Sequence, residues 1–131
     1  MSSVSLDTNI LLRWLLRDVP AQAKRADALI SSGRSLVVAD IAVSELAYVL
    51  EKVAGMPRNL VAENVNAILS QAKISCNRAL FQKTLALYVT SPALSFNDCY
   101  LAAHAQLNNA VPLYTFDKKL AAQAADTMLL V

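Results

Sequence analysis

Short apolar runs alternate with stretches of helical periodicity from one end of this chain to the other, and that alternation limits its fold more than any single residue does. Strands of three or four residues separated by helices cannot pair as hairpins. They pair in parallel, with each helix serving as the crossover. Only 2 Gly and 4 Pro punctuate the 131 residues. No internal repeat, low-complexity tract or linker interrupts them. The pattern predicts a single domain over residues 1–131, of the α/β class, built on a parallel sheet.

The expected elements follow from periodicity and from the residues that start and stop helices. Val4–Leu6 reads as the first strand, and a helix over Asn9–Arg17 ends before Pro20. A second helix spans Ala21–Ser32, with Gly33 placed as its C-terminal cap. Leu36–Ala39 is a strand, and Asp40 an N-cap for a helix over Ala42–Val53. Ala54-Gly-Met-Pro is a turn. Leu60–Gln71 is helical, with Val61, Val65, Ile68 and Leu69 on one face. Ile74–Cys76 is a short strand and Ala79–Val89 a helix. Asn97 caps a helix over Asp98–Leu107. A strand over Pro112–Thr115, a helix over Lys118–Ala124 and a strand over Met128–Val131 complete the chain.

Hydrophobic residues make up 56% of the sequence, above the ~45–50% usual for globular chains. A domain of this size cannot hide so much apolar surface alone, so a second buried surface is expected, most simply a homodimer interface. No apolar run approaches the ~18–20 residues of a membrane span. Met-Ser-Ser-Val-Ser-Leu-Asp lacks the basic-then-apolar plan of a leader, so a cytoplasmic protein is expected. Cys76 and Cys99 have no metal-ligand spacing and read as unoxidised and buried. The formal charge is +2, from 12 basic and 10 acidic residues.

Four of those acids stand in unusual contexts: Asp7, Glu45, Asp98 and Asp117. Setting them aside leaves +6, a modest cationic surface that suits a polyanion held by its backbone. Asp7 and Asp117 each follow directly on an expected strand, where parallel sheets gather their ligands. Each could equally cap the helix that follows. Glu45 borders the apolar face of Ala42, Leu46, Val49 and Val53; alone, it reads as a solvated glutamate. Asp98 opens a helix and shares a stripe with Leu101, Ala102 and Ala105. A helix N-terminus favours an exposed carboxylate by ~0.3–1 kcal/mol, which does not account for one aimed inward. Asn9 adds an amide at the Asp7 edge, and Thr8 reads as a turn residue. Thr115 is placed to hydrogen-bond a neighbouring carboxylate.

Convergence of the four acids would need a cation. Two carboxylates ~5 Å apart repel by roughly 3 kcal/mol at an effective dielectric near 20, and several such pairs force protonation. Hard oxygen ligands point to Mg²⁺ or Mn²⁺ and away from Zn²⁺.

Asp7-Thr-Asn, Ser-Glu-Leu at 44–46, Asn-Asp-Cys-Tyr-Leu-Ala-Ala from Asn97 and Thr-Phe-Asp-Lys-Lys-Leu from Thr115 together resemble the PIN-domain ribonucleases, and among them the VapC-type toxins of toxin–antitoxin pairs. The resemblance runs nearly end to end. It implies a three-layer α/β/α sandwich around a mainly parallel central sheet. It also implies an endoribonuclease using one or two Mg²⁺ or Mn²⁺ ions, leaving 3′-hydroxyl and 5′-phosphate ends. Matching positions make Asp7, Glu45, Asp98 and Asp117 the catalytic, metal-holding acids, with Asn9 and Thr115 in support. An antitoxin protein and a second copy of the chain are the implied partners, beside the RNA substrate.

Arg13, Arg17, Lys118 and Lys119 are candidate contacts for RNA phosphates or for an acidic antitoxin segment; solvated charge is the plainer account of the two arginines, while Lys118 and Lys119, adjoining Asp117, have the better claim on substrate phosphate. His104, six residues past Asp98, faces away from it and reads as a surface histidine. Two further functions fit parts of the pattern. A catalytically idle PIN-like module that binds RNA or protein would be stabilised by metal without turnover. A small-molecule phosphohydrolase would need an Asp-x-Asp motif or a phosphate-cradling glycine loop, and the sequence contains neither.

Overall fold

Val4, Leu36 and Ile74 line up across three short parallel strands, β1 (Val4–Ser5), β2 (Leu36–Val37) and β3 (Ile74–Ser75), in the order β1-β2-β3. Main-chain bonds join them in the slanted pattern of parallel strands, Leu6 N–H to Val37 O at 2.9 Å and Val38 N–H to Ser75 O at 3.0 Å among them. The computed structural model describes residues 3–131, and the chain divides into two compact units, Met1–Asn77 and Arg78–Val131.

In the first unit, α1 (Thr8–Leu16) and α2 (Pro20–Ile30) connect β1 to β2. Asp7 caps α1, and Arg17 ends it in the left-handed region at φ 56°. Pro20 opens α2, where its fixed φ suits a first turn and its missing N–H costs nothing. The helix ends on Ser31; Gly33, expected as the cap, follows two residues later in the bend, at φ +83°. Ala23 and Ala26 are the buried residues of α2, and their small side chains let it lie close on α1.

Helix α3 (Asp40–Tyr48) runs on into a π-helical turn, Val49–Val53. Asp40 is the first helical residue and Ala39 the cap, one position earlier than expected. The Asp40 carboxylate instead accepts a 2.7 Å hydrogen bond from Asn77 Nδ2. Helix α4 (Arg58–Leu69) buries Val61, Val65, Ile68 and Leu69, the stripe read from the sequence. Leu11, Leu36, Val43, Leu46 and Leu50 complete a core that reaches the sheet.

The second unit is built on α5 (Arg78–Thr90) packed along α6 (Phe96–Leu107). Phe81 stacks on Tyr100 at 5.6 Å, and Tyr88 meets Phe96 edge-on at 5.5 Å; such arrangements suit the ring quadrupoles. Two parallel strands, β4 (Leu113–Thr115) and β5 (Thr127–Leu129), flank the short helix α7 (Lys118–Gln123) as a βαβ unit. Every strand pair in both units is thus parallel, in a helix-rich α/β chain. Among the described residues, no helix is long and apolar enough to cross a membrane. Cys99 is buried and Cys76 half-buried, and no disulfide joins them.

Candidate active site

Asp7 stands where β1 gives way to α1, at the carboxyl edge of the first sheet. Its extended backbone (φ −74°, ψ 155°) makes it the N-cap, and its Oδ1 accepts the Thr8 main-chain N–H at 2.7 Å. Thr8 is the first residue of α1 and is only 7% exposed. Its hydroxyl leaves the helix in the other direction and donates to Glu45 Oε2 at 3.0 Å, across 37 positions of sequence. One buried threonine therefore ties two carboxylates, Asp7 through its amide and Glu45 through its side chain. Reading Thr8 as a turn residue missed this. The available signal was its place between an acid at a strand end and the first buried leucines of the helix, Leu11 and Leu12.

Glu45 lies one turn inside α3 and is exposed, with Ala42 and Leu46 buried beneath it. It borders the apolar face, as its spacing predicts. Asn9 is exposed on α1 next to Thr8.

In the second unit, Asp98 lies in the first turn of α6 and is half-buried. The cap is Ser95, whose hydroxyl accepts the Asp98 N–H at 3.1 Å; Asn97, the expected cap, is already helical. The buried face of α6 runs through Cys99, Ala102, Ala103 and Ala105, while Leu101 is 51% exposed. Asp98 consequently lies on the margin of the apolar stripe, where a carboxylate keeps access to water. Asp117 caps α7, with Oδ1 accepting the N–H groups of Lys119 at 2.8 Å and Leu120 at 3.1 Å. Thr115 Oγ1 accepts the Asp117 main-chain N–H at 3.0 Å. It thereby fixes the acid through its backbone, where a bond to a neighbouring carboxylate was expected.

Within either unit, among the described residues, no three His, Cys, Asp or Glu side chains stand close enough to share one ion. The pair joined by Thr8 nevertheless has the donor chemistry a hard divalent cation takes: ionisable oxygens at a surface edge, with no sulfur or imidazole in the pair.

Of the basic candidates, Arg13 is held by Asp18, with Nη1 at 2.6 and 2.7 Å from the two carboxylate oxygens. Arg17 grips Asp27 in a two-pronged bond at 3.0 and 2.6 Å. The hydrogen bond from Arg13 holds the Asp18 carboxyl below its ordinary range, and that from Arg17 does the same to Asp27. The Arg17 guanidinium is raised in turn, chiefly by its hydrogen bond to Asp27. Lys118 and Lys119 are exposed in the first turn of α7, beside Asp117. His104 is exposed, with its ring edge-on to Tyr100 at 6.0 Å.

The PIN domain family model matches residues 4–126. Among solved structures, the chain is similar to VapBC2 from Rickettsia felis, crystallised bound to a DNA fragment from their promoter. The two are 18% identical over 98% of each chain, with a TM-score of 0.40. It is also similar to PAE2754 from Pyrobaculum aerophilum, at 21% identity over 98% of this chain and 89% of that one, with a TM-score of 0.35. A search of curated proteins returns no match. The family match spans both units and both pairs of acids, so this chain belongs to the PIN-domain family, whose members are generally nucleases.

Proposed function

We propose that the chain is a Mg²⁺- or Mn²⁺-dependent endoribonuclease, the toxin of a toxin–antitoxin pair. The observation that carries this reading is the tie between Asp7 and Glu45 through Thr8, in a chain of the PIN family. Nothing about a helix cap requires a buried hydroxyl to seek out a second carboxylate on another helix. Holding two acids at one edge does have a use in metal-assisted phosphodiester hydrolysis. Asp98 and Asp117 are proposed as the further catalytic acids, carried by the second unit, and the four motifs in their order support that assignment.

In this reading Asp7 and Glu45 are the principal oxygen donors, and Thr8 sets their orientation. Asp98 adds charge from the margin of the α6 apolar face, and Asp117 from the cap of α7. Asn9 and Thr115 are supporting polar groups, Thr115 acting through the Asp117 backbone. Lys118 and Lys119 are placed to meet substrate phosphate or an acidic antitoxin segment. A divalent ion held by these acids would supply Lewis acidity and lower the pKa of a bound water below that of bulk water. No histidine or lysine base is then needed. A homodimer and an antitoxin protein are the proposed protein partners, and the cytoplasm the proposed location.

Cleavage of RNA by the purified protein is expected with Mg²⁺ or Mn²⁺ and is expected to stop in EDTA. Asp7→Ala and Asp98→Asn should each lower the rate by at least ~10²–10³-fold, the scale of losing a principal electrostatic group, with melting temperatures preserved. Full-rate cleavage by either folded variant would remove the basis of the assignment. Metal-dependent stabilisation without turnover on any RNA would favour the idle binding module.

A further inference from the structure

Helices α1 and α2 flank an open cavity of about 250 Å³ lined by Asn9, Ile10, Arg13, Gln22 and Arg25. Its lining is two guanidinium groups, two carboxamides and one apolar side chain, with no acid. The sequence spacing explains how it forms. Asn9 and Arg13 are four residues apart on one face of α1, and Gln22 and Arg25 three apart on one face of α2. Ala23 and Ala26 are buried on α2, which sets Gln22 and Arg25 at the rim where the two helices meet.

We propose that this cavity seats a phosphate of the RNA backbone next to the phosphate being cut. The inference rests on the nuclease reading above and assigns part of its substrate groove. The volume is below the ~300–1,000 Å³ of sites that enclose a whole small ligand, so the cavity takes a group of a longer molecule. Two arginines with amide donors beside them match the acceptor oxygens of a phosphate. Arg13 is positioned in advance: Asp18 holds it through Nη1, which orders the side chain while the rest of the guanidinium remains available to donate. Arg25 is exposed and makes no ion pair among the described residues, so the cavity carries net positive charge. At a rise of ~1.5 Å per residue, Asn9 and Arg13 lie about 3 and 9 Å along the α1 axis from Asp7. That is the position of a neighbouring phosphate rather than of the one at the acids. Contacts of this kind hold a strand in register without reading its bases.

The test measures binding of a fluorescent ten-nucleotide oligouridylate to the full chain in EDTA across a salt series, followed by steady-state cleavage with Mn²⁺. Arg25→Glu is expected to weaken binding about tenfold. It should also reduce the slope of log affinity against log salt by about 0.7, one single-strand phosphate contact. With metal it should raise KM while kcat stays within about twofold. Gln22→Glu, which keeps the side-chain shape, should weaken binding in the same direction. Lys24→Glu makes the same charge change on α2 outside the cavity and should have under a third of the effect of Arg25→Glu on a logarithmic scale. Equal loss in Lys24→Glu would overturn the proposal in favour of diffuse attraction. Wild-type RNA affinity in Arg25→Glu, with lost binding of poly-glutamate, would overturn it and assign the cavity to an acidic protein segment. The nuclease reading fails separately: no cleavage by the wild type, with Arg25-dependent RNA binding intact, would remove the nuclease and leave the phosphate seat.

Discussion

Thr8 carries more of the site than its size implies. Its amide serves Asp7 and its hydroxyl serves Glu45, and it is buried while both acids are exposed. A hydrogen bond to a charged group contributes ~1.5–3 kcal/mol; exposure of Glu45 places this one toward the lower end. Thr8→Val keeps the shape, the burial and the amide but removes the hydroxyl. Cleavage is expected to fall about tenfold, since ~1.4 kcal/mol corresponds to a factor of ten. Thr8→Ser, which restores the donor, should recover most of the rate. Equal activity in the Val variant, measured at saturating Mn²⁺, would show that Glu45 needs no such anchor. Arg17 makes a contrasting point. A candidate from sequence for contact with RNA phosphate or an antitoxin segment, it is occupied by Asp27 and closes α1 in a left-handed conformation, which is local structure enough to account for it.

Among the elements, the passage from α3 into the π-helical turn has the clearest consequence. An unbroken α-helix would place Ala42, Leu46, Val49 and Val53 on one face. The Ala54 N–H instead bonds to Val49 O, five residues back, and the wider turn shifts the phase of the face. Leu50, four residues past Leu46, stays on the buried face at 0% exposure, whereas Val53, inside the wider turn, is 73% exposed. Leu50→Ala should therefore cost ~2–5 kcal/mol, the range for a buried leucine. Val53→Ala should stay within about 0.5 kcal/mol, as surface changes do. Urea unfolding of the two variants decides this, and a Val53→Ala cost as large as that of Leu50→Ala would restore the unbroken α-helical face. A similar offset occurs in α6, where Ser95 caps the helix and Leu101 faces out. The cap and the stripe are both local signals, yet the helix starts two residues earlier than expected and its buried face runs through Cys99, Ala102 and Ala103 in place of Leu101.

At the scale of the whole molecule, the excess of apolar residues has a visible counterpart. Ile41, Tyr48 and Val53, on α3 and its continuation, are 66%, 62% and 73% exposed, apolar surface that a partner could cover. It supports the proposed homodimer. Sedimentation at micromolar concentration should give about twice the chain mass, and Val53→Glu should shift the population toward monomer. A wild-type protein sedimenting as a monomer at these concentrations would remove the dimer from the reading.

Features that depend on neighbours along the chain can be read from the residues alone. The order of strands and helices, the parallel pairing, the face of α4 and the placement of Asp7 and Asp117 just past strand ends were all legible there, because hydrophobic period and strand length are local properties. Tertiary structure alone decided the bond from Thr8 to Glu45, the capture of Asp40 by Asn77 and the cavity between α1 and α2. Each joins groups far apart in sequence, or on two helices whose approach is set by buried alanines, and no residue's own preference encodes where such a partner will be.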